Sequence, residues 1–218
     1  VGKGQGYNCF KDSEVKSAHM KTKTRKRTDY ASIAFDKTGR CFAGTHKGRL
    51  ITLKSDGRFY YKQDKNIRAH KKVINCIMVL EQCILTGGGD KKIIIWSHRL
   101  KNLKEIQVEG KVKSVDYLGK SLLYSLSTGV IAKMIVEINE STVSESPDPH
   151  EVVMICHNDG EAWGIVVYKH FLFTCGDDNQ LIQWNMKERR VENVYNLWSK
   201  KLEGKYGIKA HLSKSEYQ

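Results

Sequence analysis

Cys83-Ile84-Leu85-Thr86-Gly87-Gly88-Gly89-Asp90-Lys91-Lys92-Ile93-Ile94-Ile95-Trp96 reads as two short strands around a tight turn. Each apolar run is too short for a helix, and the first ends in three glycines. Ile93-Ile94-Ile95 is a continuous β-branched run, the pattern of a strand covered on both faces. Leu172-Phe173-Thr174-Cys175-Gly176-Asp177-Asp178-Asn179-Gln180-Leu181-Ile182-Gln183-Trp184 repeats the plan: Thr, Asp four residues later, Trp six after that. A His-bearing turn precedes each copy, Ala69-His70 and Cys156-His157.

Two weaker copies fill the gaps. Cys41 to Leu53 has Lys47 and Leu53 in the Asp and Trp places, and Leu123 to Met134 has Thr128 and Met134 there. The turn positions 47, 90, 128 and 178 are 43, 38 and 50 residues apart. A period near 40–45 residues with four short strands each is the signature of a β-propeller of the WD type. The expectation is an all-β chain of about four blades, with units near 30–66, 67–109, 110–156 and 157–197. In the second unit the strands read as Val73 to Leu80, Cys83 to Gly87, Lys92 to Trp96 and Leu103 to Val108. In the fourth they read as Ala162 to Tyr168, Phe171 to Cys175, Leu181 to Trp184 and Arg190 to Tyr195. Residues 18–28, a basic run, and 139–150, polar with Pro147 and Pro149, read as exposed loops. Four units leave a ring of this repeat type open, and the start of a further blade is read at 207–218, in Gly207-Ile208-Lys209-Ala210-His211-Leu212-Ser213. The expected context is therefore a longer parent chain with a larger propeller.

Charge narrows the partners. In 218 residues, 37 Lys and Arg stand against 24 Asp and Glu, a net +13 that favours acidic surfaces without choosing among them. Lys21, Lys23, Arg25, Lys26 and Arg27 are the densest cluster and the candidate contacts to an acidic partner. No aromatics interleave with them, so nucleic acid stays open but is not favoured. No apolar stretch approaches the roughly 20 residues of a membrane-spanning helix, and no membrane partner is expected. The six cysteines form no C-x-x-C pair or zinc spacing, which suits a reduced, intracellular setting.

His70, Thr86 and Asp90 invite comparison with a hydroxyl–His–acid triad. Their recurrence as His157, Thr174 and Asp178, each set followed by a Trp (Trp96, Trp184), favours a structural unit used twice. In WD repeats these residue types form a buried chain in which the indole donates to the hydroxyl, the hydroxyl to His and His to Asp. Gly87 to Lys92 lacks the order of a phosphate-binding loop, and Cys156-His157 with Cys175 lacks a fourth zinc ligand. No cofactor and no enzymatic activity are expected.

Ile67-Arg68-Ala69-His70-Lys71-Lys72-Val73, followed by Ile84 to Trp96, resembles the echinoderm microtubule-associated protein-like family of WD-repeat proteins. His157-Asn158-Asp159-Gly160-Glu161-Ala162-Trp163-Gly164 is similar to a signature of that family, with Cys156 in place of a Gly and Gly160 as an extra residue. The resemblance implies a tandem pair of propellers and a scaffold that binds tubulin, microtubules or axonemal proteins, in the cytoplasm, the cytoskeleton or the ciliary axoneme. The alternative is a generic WD-repeat adaptor in another protein or ribonucleoprotein complex.

Overall fold

A computed structural model of the chain describes residues 29–55, 57, 60–139, 142–145, 150–157 and 160–197. Seventeen strands and, among the described residues, no helix make up the fold. Sheet 1 is a meander of β1 (Tyr30–Phe35), β2 (Cys41–Thr45), β3 (Arg49–Ser55) and β4 (Tyr61–Arg68). Sheet 2 follows with β5 (Ile74–Val79), β6 (Ile84–Gly88), β7 (Lys92–Trp96) and β8 (Asn102–Gln107). Sheet 3 holds β9 (Val112–Leu118), β10 (Ser121–Leu126), β11 (Val130–Ile138), β12 (Val143–Glu145) and β13 (Glu151–Ile155). Sheet 4 is β14 (Ala162–Tyr168), β15 (Phe171–Gly176), β16 (Gln180–Asn185) and β17 (Arg190–Asn196). The first strands β1, β5, β9 and β14 meet in that order, so the sheets stand side by side as four blades of a β-propeller.

The core lies between blades. Phe42 and Leu50 of sheet 1 pack on Ile74, Ile84, Ile94 and Trp96 of sheet 2. From the other face of sheet 2, Leu85, Ile93 and Ile95 pack on Val112, Leu122, Tyr124 and Met134 of sheet 3. Leu123 and Ile131 then meet Ala162, Ile165 and Leu172 of sheet 4. Neighbours in the isoleucine run thus serve opposite interfaces, which is why the strand is apolar without alternation. Sheet 4 has an open face: Val166, Tyr168 and Tyr195 are 53%, 62% and 47% exposed.

Two backbone features recur in every blade. The residue closing the turn between second and third strands has positive φ: Gly48 (74°), Lys91 (64°), Gly129 (76°) and Asn179 (59°). At Gly48 a side chain would also strike the carbonyl of His70, so glycine is required there twice over. Each first strand also skips one residue in its ladder, at Ala31, Asn75, Lys113 and Trp163. Such a bulge turns one side chain away from the alternation of its strand.

Sheet 3 departs from the four-strand expectation. β11 is long enough to pair with β12 along Val136 to Ile138 and with β13 along Val130 to Lys133. Part of the segment expected as a loop at 139–150 is therefore strand β12, and the outer rim of this blade is split in two. In sheets 2 and 4 the expected strand ends are met within one residue, as in Ile74–Val79 and Gln180–Asn185, and Lys92–Trp96 and Ala162–Tyr168 are met at both ends. The basic run with Lys21, Lys23, Arg25, Lys26 and Arg27, and the stretch 207–218, lie outside the described residues.

Candidate functional site: buried networks and the exposed rim

The structure brings each Trp–Thr–His–Asp set together. Trp96 Nε1 donates to Thr86 Oγ1 at 2.9 Å, Thr86 Oγ1 lies 2.8 Å from His70 Nε2, and His70 Nδ1 lies 2.8 Å from Asp90 Oδ1. An ionised Asp90 only accepts, so Nδ1 carries the proton and Nε2 accepts from the threonine hydroxyl. The second Asp90 oxygen accepts the Lys71 amide at 2.8 Å. Sheet 4 repeats the chain: Trp184 Nε1 to Thr174 at 2.9 Å, Thr174 to His157 Nε2 at 2.9 Å, and His157 Nδ1 to Asp178 at 2.8 Å. Burial works against ionisation of Asp90, but the Lys71 amide and the His70 ring outweigh it and hold its carboxyl below the usual aspartate range.

Thr86 and Thr174 are fully buried, so no substrate reaches either hydroxyl in this conformation. His157 spends both ring nitrogens on Thr174 and Asp178, and neighbouring Cys156 donates its thiol to the Gly129 carbonyl at 3.5 Å. Burial pushes the Cys76 and Cys83 thiols up to about 12 and Cys156 to about 11, far from the thiolate a nucleophile or metal ligand needs.

Several polar residues that the repeat pattern did not reveal tie the blades together. Ser32 Oγ donates to the Ile74 carbonyl at 2.8 Å, Asn75 Nδ2 to Val112 at 2.6 Å and Ser125 Oγ to Ala162 at 2.9 Å. Each acceptor is the first residue of the next blade's inner strand, so one device recurs at three interfaces. Asp116, inside β9, accepts the Val167 amide of sheet 4. In sheet 1, Arg40 takes part in a different network, donating to Thr52 Oγ1 and Asp64 at 3.2 Å and to the His98 carbonyl at 2.9 Å. The small Ser and Asn residues sit at bulges or strand ends, where no periodic pattern marks them.

Trp163, in the stretch that carried the family resemblance, is half exposed at a bulge. The ammonium of Lys113, bulged in the preceding blade, lies 3.7 Å from its ring centroid. Its indole N–H donates to Asp177, whose other oxygen accepts the Glu161 amide at 2.9 Å, and Lys113 pairs with Glu161.

No family model matches the chain. Individual proteins do. A ciliary WD repeat-containing protein, ctxp80 of Euplotoides octocarinatus, is 27% identical over 84% of this chain and 24% of its own length. Human echinoderm microtubule-associated protein-like 4 is 26% identical over 78% of this chain and 19% of its own. The 77 kDa echinoderm microtubule-associated protein of Strongylocentrotus purpuratus is 24% identical over 93% of this chain and 28% of its own. These relatives support an echinoderm microtubule-associated protein-like WD-repeat family. The chain spans about a quarter or less of the first two relatives. Among solved structures, the WD40 domain of Neurospora crassa Pan2 matches with a TM-score of 0.60 at 10% identity, over 78% of this chain and 50% of that one. The WD40 β-propeller domain of Doa1 matches at 0.58 with 13% identity, over 76% and 53%. These likenesses identify the fold, a WD40 β-propeller.

Proposed function

We propose that the chain is the WD-repeat part of a non-enzymatic, microtubule-associated scaffold that binds tubulin or axonemal proteins through its blade surfaces. The observation that carries this reading is the match to microtubule-associated and ciliary WD-repeat proteins over 78–93% of the chain. The net charge of +13 supports it, because an acidic polymer surface attracts such a chain within a Debye length of about 8 Å at physiological salt. The Thr, His and Asp residues of both quartets are engaged in locking blades, and this reading assigns partner binding to the exposed blade surfaces. The basic run at Lys21 to Arg27 belongs to this proposal as a further cationic contact, and the setting it implies is cytoskeletal, in the cytoplasm or the cilium.

Co-sedimentation with stabilised microtubules tests the reading. The chain is expected to pellet with polymer at low salt, to be released as salt rises, and to bind less well once acidic tubulin tails are cleaved. Failure to pellet at low salt overturns it.

A further inference from the structure

We infer that the end of the propeller carrying the second-to-third strand turns is the docking surface for an extended acidic peptide, held by Lys47, Lys71, Lys72, Lys91 and Lys111. The inference rests on the scaffold reading above and adds which face binds and to what chemistry.

In a four-stranded meander the second-to-third turn and the connection to the next blade emerge at the same end. Lys47 and Lys91 lie in two such turns, Lys71 and Lys72 in the sheet 1–2 connection and Lys111 in the sheet 2–3 connection. The backbone fuses these segments into one ridge. Gly48 O accepts the amides of Ala69 and His70 at 3.0 and 2.9 Å, the Gly89 amide donates to Val73 O at 2.8 Å, and the Val108 amide donates to Lys91 O at 3.0 Å. Asp90 holds the Lys71 amide, and Asn75 holds the Val112 carbonyl beside Lys111. The lysines therefore project from a support fixed by the buried His70 network, not from a free tail.

All five are exposed, and none forms an ion pair among the described residues. The exposed carboxylates in the same segments are Asp29 and Glu109, since Asp90 is spent on His70 and Lys71. The opposite end of sheets 1–3 is different: Lys37 pairs with Glu81, Arg40 and Lys54 with Asp64, and Lys120 with Glu137. Arg99, Lys101 and Lys65, the last donating to the Arg99 carbonyl at 3.0 Å, are cations there without a carboxylate partner among the described residues. At the fourth blade the corresponding turn carries Asp177 and Asp178 where the turns of sheets 1 and 2 carry Lys47 and Lys91, with Asp177 accepting the Trp163 indole and Asp178 the His157 ring, so the five ammoniums lie along sheets 1–3.

A protein carboxylate fits better than a nucleic acid. The nearby guanidinium groups are occupied: Arg49 bonds Asn66, and Arg68 bonds the His70 and Lys71 carbonyls. What remains among the described residues are point-charge ammoniums, without the bidentate forks that phosphates favour, and no Phe, Tyr or Trp stands in the segments 46–48, 69–73, 89–91 and 108–111 that carry them.

The test uses the 218-residue chain, a labelled peptide of ten glutamates and fluorescence anisotropy. The double variant Lys71→Glu/Lys91→Glu is expected to weaken binding by roughly tenfold or more at low salt. Arg99→Glu/Lys101→Glu, with the same change in net charge, is expected to weaken it less than about twofold. Thermal melts of both variants establish that the fold survives. Equal losses in the two variants, no binding of the peptide, or tighter binding of polyuridine than of polyglutamate overturns the inference. Microtubule pelleting separates the two proposals. Wild type and ridge variant pelleting alike sinks the ridge and spares the scaffold reading, whereas peptide binding that needs the ridge, without pelleting, does the reverse.

Discussion

Thr86 receives the indole proton of Trp96 and gives its own to His70, so losing its hydroxyl strands two buried groups at once. Thr86→Val keeps the volume and removes only that hydroxyl. At about 1–3 kcal/mol for each unpaired buried group, it is expected to cost about 2–6 kcal/mol in urea unfolding. Thr174→Val is expected to cost less, because Trp184 is half-buried where Trp96 is buried, so water can reach the indole N–H that the substitution frees. A catalytic threonine would give the opposite signature, lost activity with stability kept. Asp90 adds a pH dependence. Its folded-state pKa is lowered, so its stabilisation is complete above the ordinary aspartate value of about 3.9 and is lost as pH falls through the lower folded value. Melting temperature should therefore fall as pH drops from about 4, and Asp90→Asn should flatten that slope. Without flattening, the Asp90 carboxylate is not what acid removes.

At the scale of elements, coverage decides stability. β6 and β7 are packed on both faces, and nearly every residue in them is buried. β15 and β16 occupy the same places in sheet 4 but have one packed face and several half-buried residues. Amide exchange should be slowest in β6 and β7 and measurably faster in β15 and β16; equal protection would mean that sheet 4 is covered in solution. The sequence made the doubly covered strand legible, because burial on two sides leaves no polar alternate position at Ile93, Ile94 or Ile95. Sheet 3 was harder to read. Val143-Ser144-Glu145 has neither the length nor the apolar content of a strand, and it forms one because β11 extends far enough to offer it backbone partners. The bulges were equally hidden: skipping Asn75 or Trp163 follows from interblade geometry, which leaves no mark in periodicity.

For the molecule as a whole, the repeat exposed the polar quartets because His, Thr, Asp and Trp recur at fixed separations. The interblade ties did not recur in residue type, using Ser32, Asn75 and Ser125 for one task, and so escaped notice. The basic ridge escaped for a related reason: Lys47, Lys71, Lys91 and Lys111 are scattered in sequence, and only folding gathers them at one end. The cluster visible by eye, Lys21 to Arg27, is the contiguous one. The split rim of the third blade has a practical corollary. Since β12 and β13 are anchored independently to β11, the span between them can be lengthened without disturbing the spacing of either anchor. That makes it a place to graft an epitope or a fluorescent reporter, with the pairing of both short strands to β11 expected to survive.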